Sequence, residues 1–193
     1  MDSPAPEAEA DRPAGVLEAT CLCGACQLRG EGPILFSSVC HCSMCQRWTG
    51  APFTHYVGFP SGKLRCVQGE DKLSEYKSSP TLSRYACSAC GTRLMNESHD
   101  KGYRDMPAGV LERDAEGRIL GVGRALAPRL HIFYGSRQAD VQDELPKLKE
   151  RVGSALLDSR GQELVGTAAE QAAAALQAAT AELVVTQAAG STT

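Results

Sequence analysis

Short apolar runs, broken every few residues by Gly, Pro or Ser, fill the middle of the chain. They recur at Cys26–Arg29, Ile34–Val39, Phe53–Phe59, Lys63–Val67, Leu82–Ala86, Arg93–Asn96 and Arg129–Tyr134. Runs of this length and content read as strands. Turn segments such as Gly30-Glu-Gly-Pro33 and Phe59-Pro-Ser-Gly62 separate many of them. Strands at this pitch, with no long helix between them, predict a mainly β fold. Only Ser43–Trp48 and Ala139–Arg151 carry a helical pattern in this region, and Pro146 interrupts the second.

Composition then sets the boundaries. Seven of the ten aromatic residues lie between positions 36 and 85 and none follows Tyr134, which places a single packed domain at residues 17–152. Residues 1–16 are acidic and rich in Pro and Ala, and read as a disordered segment. Residues 153–193 read as an Ala-rich helical tail. From Ala168 to Ala181 nine of fourteen residues are alanine, and Thr167-Ala-Ala-Glu170 has the form of a capping box, so a helix is expected from Thr167 to Gln187. Its larger apolar residues are only Leu176, Leu183, Val184 and Val185. Such a helix has little to bury, and reads as an appendage and as the candidate contact of a homo-oligomer.

Charge and hydropathy narrow the partners. The formal charge of −3 with no Lys/Arg block gives no electrostatic footprint for nucleic acid. No apolar run approaches the roughly 20 residues of a membrane span, and no apolar h-region marks secretion. A cytoplasmic protein is expected, in a compartment where closely spaced cysteines favour metal over disulfides.

Seven of the nine cysteines form three tight groups: Cys21-Leu-Cys23, Cys40-His-Cys42-Ser-Met-Cys45 and Cys87-Ser-Ala-Cys90. Thiolates at these spacings can turn onto one ion, and zinc is the expected cofactor, two per chain. The two pairs complete a closed four-sulfur site that staples the sheet. The trio leaves a fourth position open, as a reactive zinc requires. Cys23 and Cys90 are each followed by glycine, which takes the φ > 0 turn that closes such a knuckle. Cys23-Gly-Ala-Cys26 is also a C-x-x-C, so Cys26 competes with Cys21 for a place in the first site; otherwise Cys26 and Cys66 read as small buried apolar residues. Arg47, just after the trio, is the candidate for pairing with a substrate carboxylate. His41 lies between two ligands and reads as a side chain turned away from the metal, a fourth ligand or an acid–base group. His55, His99 and His131 read as structural.

The ordered set C-x-C-G, C-H-C-x-x-C followed by Gly50-Ala-Pro-Phe53, and C-x-x-C-G-[ST] resembles the family of glutathione-dependent formaldehyde-activating enzymes, which includes the centromere protein V-like proteins. The match rests on Cys21–Ala25, Cys40–Phe53, Ser79-Pro80 and Cys87–Thr92, with weaker echoes at Gly109–Leu111, Arg129–Phe133 and Ser136-Arg137. It spans roughly residues 17–150. The resemblance implies an Mss4-like, tent-shaped β fold with two zinc ions, the structural one on Cys21, Cys23, Cys87 and Cys90 and the catalytic one on Cys40, Cys42 and Cys45. It further implies a carbon–sulfur lyase that joins glutathione, or a similar small thiol, to formaldehyde or a related small aldehyde. The alternative is a non-catalytic, zinc-stabilised scaffold of the same fold. The chain departs from the family pattern at Gln46, where arginine is usual, and in the longer, more polar stretch Asn96–Pro107. Both lie where substrate would be read. The Ala-rich tail is a third departure.

Overall fold

The computed structural model describes residues 16–117, 119 and 126–188. All but the last residue of the expected disordered segment at 1–16 therefore lie outside the described residues. The architecture is mainly β, as the strand pitch predicts. A three-stranded antiparallel sheet joins β1 (Val16–Thr20), β2 (Gln27–Glu31) and β5 (Leu64–Gln68) in the order β1-β2-β5. Residues in β1 and β2 alternate between half-buried and buried, so Leu17, Ala19 and Leu28 point to the core. Gly30 shares that face because the Phe59 ring presses against it; a Cβ there would stand 2.7 Å from the ring.

The second, larger sheet holds nine strands. These are β3 (Phe36–Cys40), β4 (Thr54–Pro60), β6 (Leu73–Ser79), β7 (Leu82–Cys87), β8 (Arg93–Ser98), β9 (Tyr103–Pro107), β10 (Leu130–Ile132), β11 (Lys147–Leu148) and β12 (Leu156–Leu157). Their order is β12-β11-β10-β3-β4-β9-β8-β7-β6. Every pair is antiparallel except β3 with β10 and β10 with β11. The core packs Leu17, Leu28 and Leu64 of the small sheet against Val57, Phe59, Leu94 and Met106 of the large one.

All seven expected strands are present in part or in full. Those the sequence reading lacks are β1, β6, β9, β11 and β12. Strand β6 is an exposed edge, Leu73-Ser-Glu-Tyr-Lys-Ser-Ser79, with no apolar alternation to reveal it. The helix expected at Ala139–Arg151 does not form. His131 donates its backbone N–H to the Pro146 carbonyl at 2.8 Å and Phe133 donates to Glu150 at 2.7 Å, which draws this segment alongside β10. The buried Lys147 ammonium locks the loop by donating to the Asp143 carboxylate at 2.6 Å and to the Leu145 carbonyl at 3.0 Å.

Two α-helices occur among the described residues. The first, α1 (Ser43–Thr49), ends where Gly50 takes φ +71°. The second, α2 (Gly166–Ala188), falls within one residue of the expected tail helix. None of residues 166–180 is buried, so α2 owes its form to alanine propensity more than to packing. Residues 153–165, grouped with the tail in the sequence reading, carry β12 instead. Leu157 is buried and the Ser159 carbonyl accepts the Tyr134 hydroxyl at 2.7 Å. Deleting residues 166–193 should therefore lower stability by less than about 1 kcal/mol, whereas deleting 154–193 also removes a buried leucine, about 1.5–3 kcal/mol, and that hydrogen bond. Thermal denaturation of the two truncations checks this. Equal melting temperatures would show that β12 contributes nothing.

Candidate metal centre

The loop after β1 and the end of β7 bring Cys21, Cys23, Cys87 and Cys90 together, with their sulfurs all within 4.8 Å of one another. Both loops fold by one device. Gly24 donates its N–H back to the Cys21 carbonyl at 2.9 Å and Gly91 to that of Cys87 at 2.8 Å. Each glycine sits at φ +75°, in the left-handed region that favours Gly. Four sulfurs around one ion at a zinc–thiolate distance of about 2.3 Å stand roughly 3.8 Å apart. The contacts are 3.6 Å for Cys21–Cys23 and 3.9 Å for Cys23–Cys87, so the donor set has the size of a tetrahedral thiolate site. Cys26 lies outside it: its thiol points to the Gly69 carbonyl at 3.5 Å and burial pushes it up to about 12. Only its backbone serves the group, donating to the Cys21 sulfur at 3.2 Å. Cys66 is half-buried on β5. All nine cysteines are free of disulfides.

The second group stands on β3 and α1. Cys40 ends the strand, Cys42 caps the helix by accepting the Cys45 N–H at 3.3 Å, and Cys45 lies in the first turn. Their sulfurs also fall within 4.8 Å of one another, with Cys40 and Cys45 3.7 Å apart. Cys42 is drawn down to about 2, first by its side-chain contacts with Cys40 and Cys45, then by the Cys45 N–H and Arg84. Cys40 is pushed up by the same sulfur contacts and then by burial. Both cysteine groups could hold a metal ion.

Arg84, from β7, is the residue that sequence reasoning missed. It is only 2% exposed, and both its terminal nitrogens lie 3.8 Å from the Cys45 sulfur. Its other partners are neutral: the Ser78 hydroxyl at 3.0 Å and the Asn96 side-chain oxygen at 3.3 Å. A buried guanidinium needs a negative partner, and the cysteine group is the one it touches. The arrangement therefore suits thiolates, whose net charge with a divalent ion would be −1, rather than three thiols. No local motif marks Arg84. The signal available was its central place in an otherwise apolar and small-residue strand.

Behind Arg84 the polar chain continues. Asn96 donates to Asp105 at 2.6 Å, and burial pushes that carboxyl up to about 7. The Tyr56 hydroxyl is buried among these groups with no hydrogen-bond partner among the described residues. Together with the trio they line a cavity of about 600 Å³. Its lining also includes apolar residues such as Phe36, Leu130 and Ile132, the exposed charged residues Asp100, Lys101 and Arg151, and Thr180 of α2. Phe133 also lines it, with φ +56°, the one non-glycine residue at positive φ among those described; such strain gathers at functional positions. The four-sulfur group contributes nothing to the cavity lining.

The other candidates fall elsewhere. Arg47 is exposed on α1 and outside the cavity lining. His41 is buried and turned to His131, Nε2 to Nδ1 at 2.8 Å; His131 in turn meets Asp143 at 2.9 Å. Of the readings open to it, a side chain directed away from the sulfurs fits this placement. Burial, with His131 adding to it, holds His41 down to about 4. His55 pairs with Ser37 at 2.7 Å and His99 with Ser83 at 2.9 Å. Gln46 donates to the His41 and Ser136 carbonyls at 2.7 and 3.0 Å, tying α1 to the segment after β10.

The family model of glutathione-dependent formaldehyde-activating enzymes matches residues 16–136, an interval that holds every clustered cysteine and Arg84. The chain belongs to that family. Among curated relatives, a Schizosaccharomyces pombe protein named as an uncharacterized lyase is 35% identical over 79 residues, which cover 40% of this chain and 54% of the relative. A Talaromyces marneffei protein, whose name assigns it to the same family, is 28% identical over 87 residues, 45% of this chain and 46% of the relative. The chain thus spans about half the length of the curated relatives it matches. A Rhodobacter sphaeroides crystal structure aligns with a TM-score of 0.39 and 23% identity, over 49% of this chain and 87% of that one. Among the described residues no helix is long and apolar enough to cross a membrane.

Proposed function

We propose that this member of the glutathione-dependent formaldehyde-activating family makes and breaks a carbon–sulfur bond between glutathione, or a similar thiol, and a small aldehyde. One zinc would be held by Cys40, Cys42 and Cys45 at the cavity, and a structural zinc by Cys21, Cys23, Cys87 and Cys90. The observation that carries the reading is that the three-sulfur group, with its buried counter-charge Arg84, lines a ligand-sized cavity, while the four-sulfur group lies outside that cavity. A scaffold needs neither a cavity at its metal group nor a sulfur position left open.

A zinc ion held by the trio would supply a Lewis acid that lowers the pKa of an incoming thiol. The chain's own residues then set the terms of the addition. Arg84 offsets the negative charge of the cysteine group, so that a second anion, the substrate thiolate, is tolerated beside it. The S–H proton leaves, the sulfur bonds to the carbonyl carbon as the C=O π bond opens, and a proton returns to that oxygen. No redox partner is needed. Asp105, whose burial brings it near neutrality, is the lining carboxyl suited to hold the transferred proton. The apolar sides exclude water from the adduct.

The test is exchange spectroscopy by NMR on glutathione with formaldehyde, with and without the zinc-loaded protein. Catalysis should accelerate adduct exchange, and Cys42→Ser should abolish the acceleration in a protein that still melts cooperatively. An unchanged exchange rate with both metal groups filled would favour the scaffold reading.

A further inference from the structure

The cavity is far larger than a one-carbon aldehyde needs. Its volume of about 600 Å³ lies inside the roughly 300–1,000 Å³ range of sites for drug-sized ligands. Glutathione explains part of that volume but not its chemistry, because a peptide with two carboxylates, an ammonium and two amide links has little apolar surface to offer. The lining includes Leu35, Phe36, Leu82, Leu130, Ile132 and Phe133. Three of its apolar residues, Leu35, Met44 and Val152, are 41, 50 and 69% exposed. Exposed apolar side chains gathered on one cavity mark a surface kept for an apolar ligand.

The charged and metal-ligating lining residues fall into two sets. One is buried around the trio, Arg84, Asn96 and Asp105, with Arg84 and Asp105 already hydrogen-bonded to Asn96. The other is exposed: Lys101, Arg151 and Asp100, two positive groups and one negative. That set is opposite in sign to the two carboxylates and one ammonium of glutathione. The Arg151 guanidinium is placed 5.6 Å from the centre of the Phe133 ring, and Asp100 accepts the Ser98 hydroxyl at 2.8 Å. Ser98, Asp100, Lys101 and Tyr103 all come from the polar stretch 96–107. With the peptide's charges on Lys101, Arg151 and Asp100 and its sulfur at the trio, the apolar lining is left to the carbon skeleton of the electrophile.

Resting on the function proposed above, we infer that the electrophile is an aldehyde with an extended apolar chain or ring, carried as its glutathione adduct, rather than formaldehyde itself. The addition is the same for either aldehyde: the S–C bond forms, the C=O π bond opens, and the thiol proton ends on the oxygen.

Two measurements on the zinc-loaded full chain test this. Calorimetry compares S-hexylglutathione with S-methylglutathione, unreactive analogues that differ only in the apolar group on sulfur. The hexyl compound should bind at least tenfold tighter, and Ile132→Ser or Leu82→Ser should cut that ratio severalfold. Exchange spectroscopy then compares hexanal with formaldehyde in the presence of glutathione, and kcat/KM should favour hexanal by tenfold or more. Equal or weaker binding of the hexyl compound, or a preference for formaldehyde, overturns the inference and leaves the thiol–aldehyde reaction standing. Tight binding of the hexyl compound without turnover of either aldehyde upholds the apolar ligand class and removes the proposed reaction. Failure of both analogues to bind overturns the inference.

Discussion

Cys87→Ser is expected to give a chain with no cooperative thermal transition, and Cys42→Ser one that still folds. Cys87 is 1% exposed at the end of β7, within the core that joins the two sheets. Its group ties the loop after β1 to the β7–β8 turn, 64 residues apart for Cys23 and Cys87. Structural zinc in small domains contributes about 10–16 kcal/mol of apparent binding free energy near neutral pH. The net stability of a domain is about 5–15 kcal/mol. Losing one of four ligands at such a site can therefore remove most of the folding free energy. Cys42 is half-buried in the cavity lining, at the N-cap of a seven-residue helix. Its loss should take away one metal equivalent and the activity while the circular dichroism stays close to wild type. Metal analysis alongside circular dichroism separates the two. Similar behaviour of both variants would sink the division into a structural and a reactive group.

Much of this arrangement is legible in the sequence because it depends on short-range chemistry. The knuckles are fixed by Cys spacing and by glycines whose positive φ the chain requires, so both appear where Cys23-Gly24 and Cys90-Gly91 place them. The inner strands announce themselves by apolar content, and α2 by its alanines. What the sequence hides is set by contacts between distant residues. Strand β6 exists because β7 offers it an edge. The segment after Ala139 looks helical until β10 and the buried Lys147 claim its backbone. Arg47 looks like the site arginine because it neighbours the trio in sequence, yet α1 turns it to solvent. Arg84 lies 39 residues from Cys45 and reaches it only once β7 is placed in the large sheet. The cavity likewise draws on β3, β4, β7, β8, β9 and β10 together.

Arg84→Met should lower activity by roughly one to two orders of magnitude, whereas Arg47→Ala should change it less than twofold. The guanidinium places two nitrogens 3.8 Å from the Cys45 sulfur, in a setting only 2% exposed. A pair of unit charges about 4 Å apart interacts by about 4 kcal/mol at an effective dielectric of 20, and tenfold in rate is about 1.4 kcal/mol. The incoming thiolate, about one sulfur–sulfur distance further off at roughly 7 Å, feels about 2 kcal/mol at the same dielectric, which is one to two orders of magnitude in rate. Methionine keeps most of the volume and adds no charge, but it leaves the buried cysteine group without its counter-charge, and removing one partner of a buried pair costs about 3–5 kcal/mol of stability, so thermal denaturation is measured alongside activity. The sign on pH follows directly. A positive charge beside a thiolate favours the ionised form and lowers its pKa, so its removal raises the pKa of the substrate thiol. The rising limb of the pH–rate profile should move to higher pH in Arg84→Met, and Arg84→Lys should restore part of the shift because it keeps the charge but not the forked contact. A purely structural role for Arg84 predicts lower stability with the pH profile unmoved. In that outcome the buried charge serves packing of the β7–β8 pair, and the electrostatic account of the three-sulfur group fails.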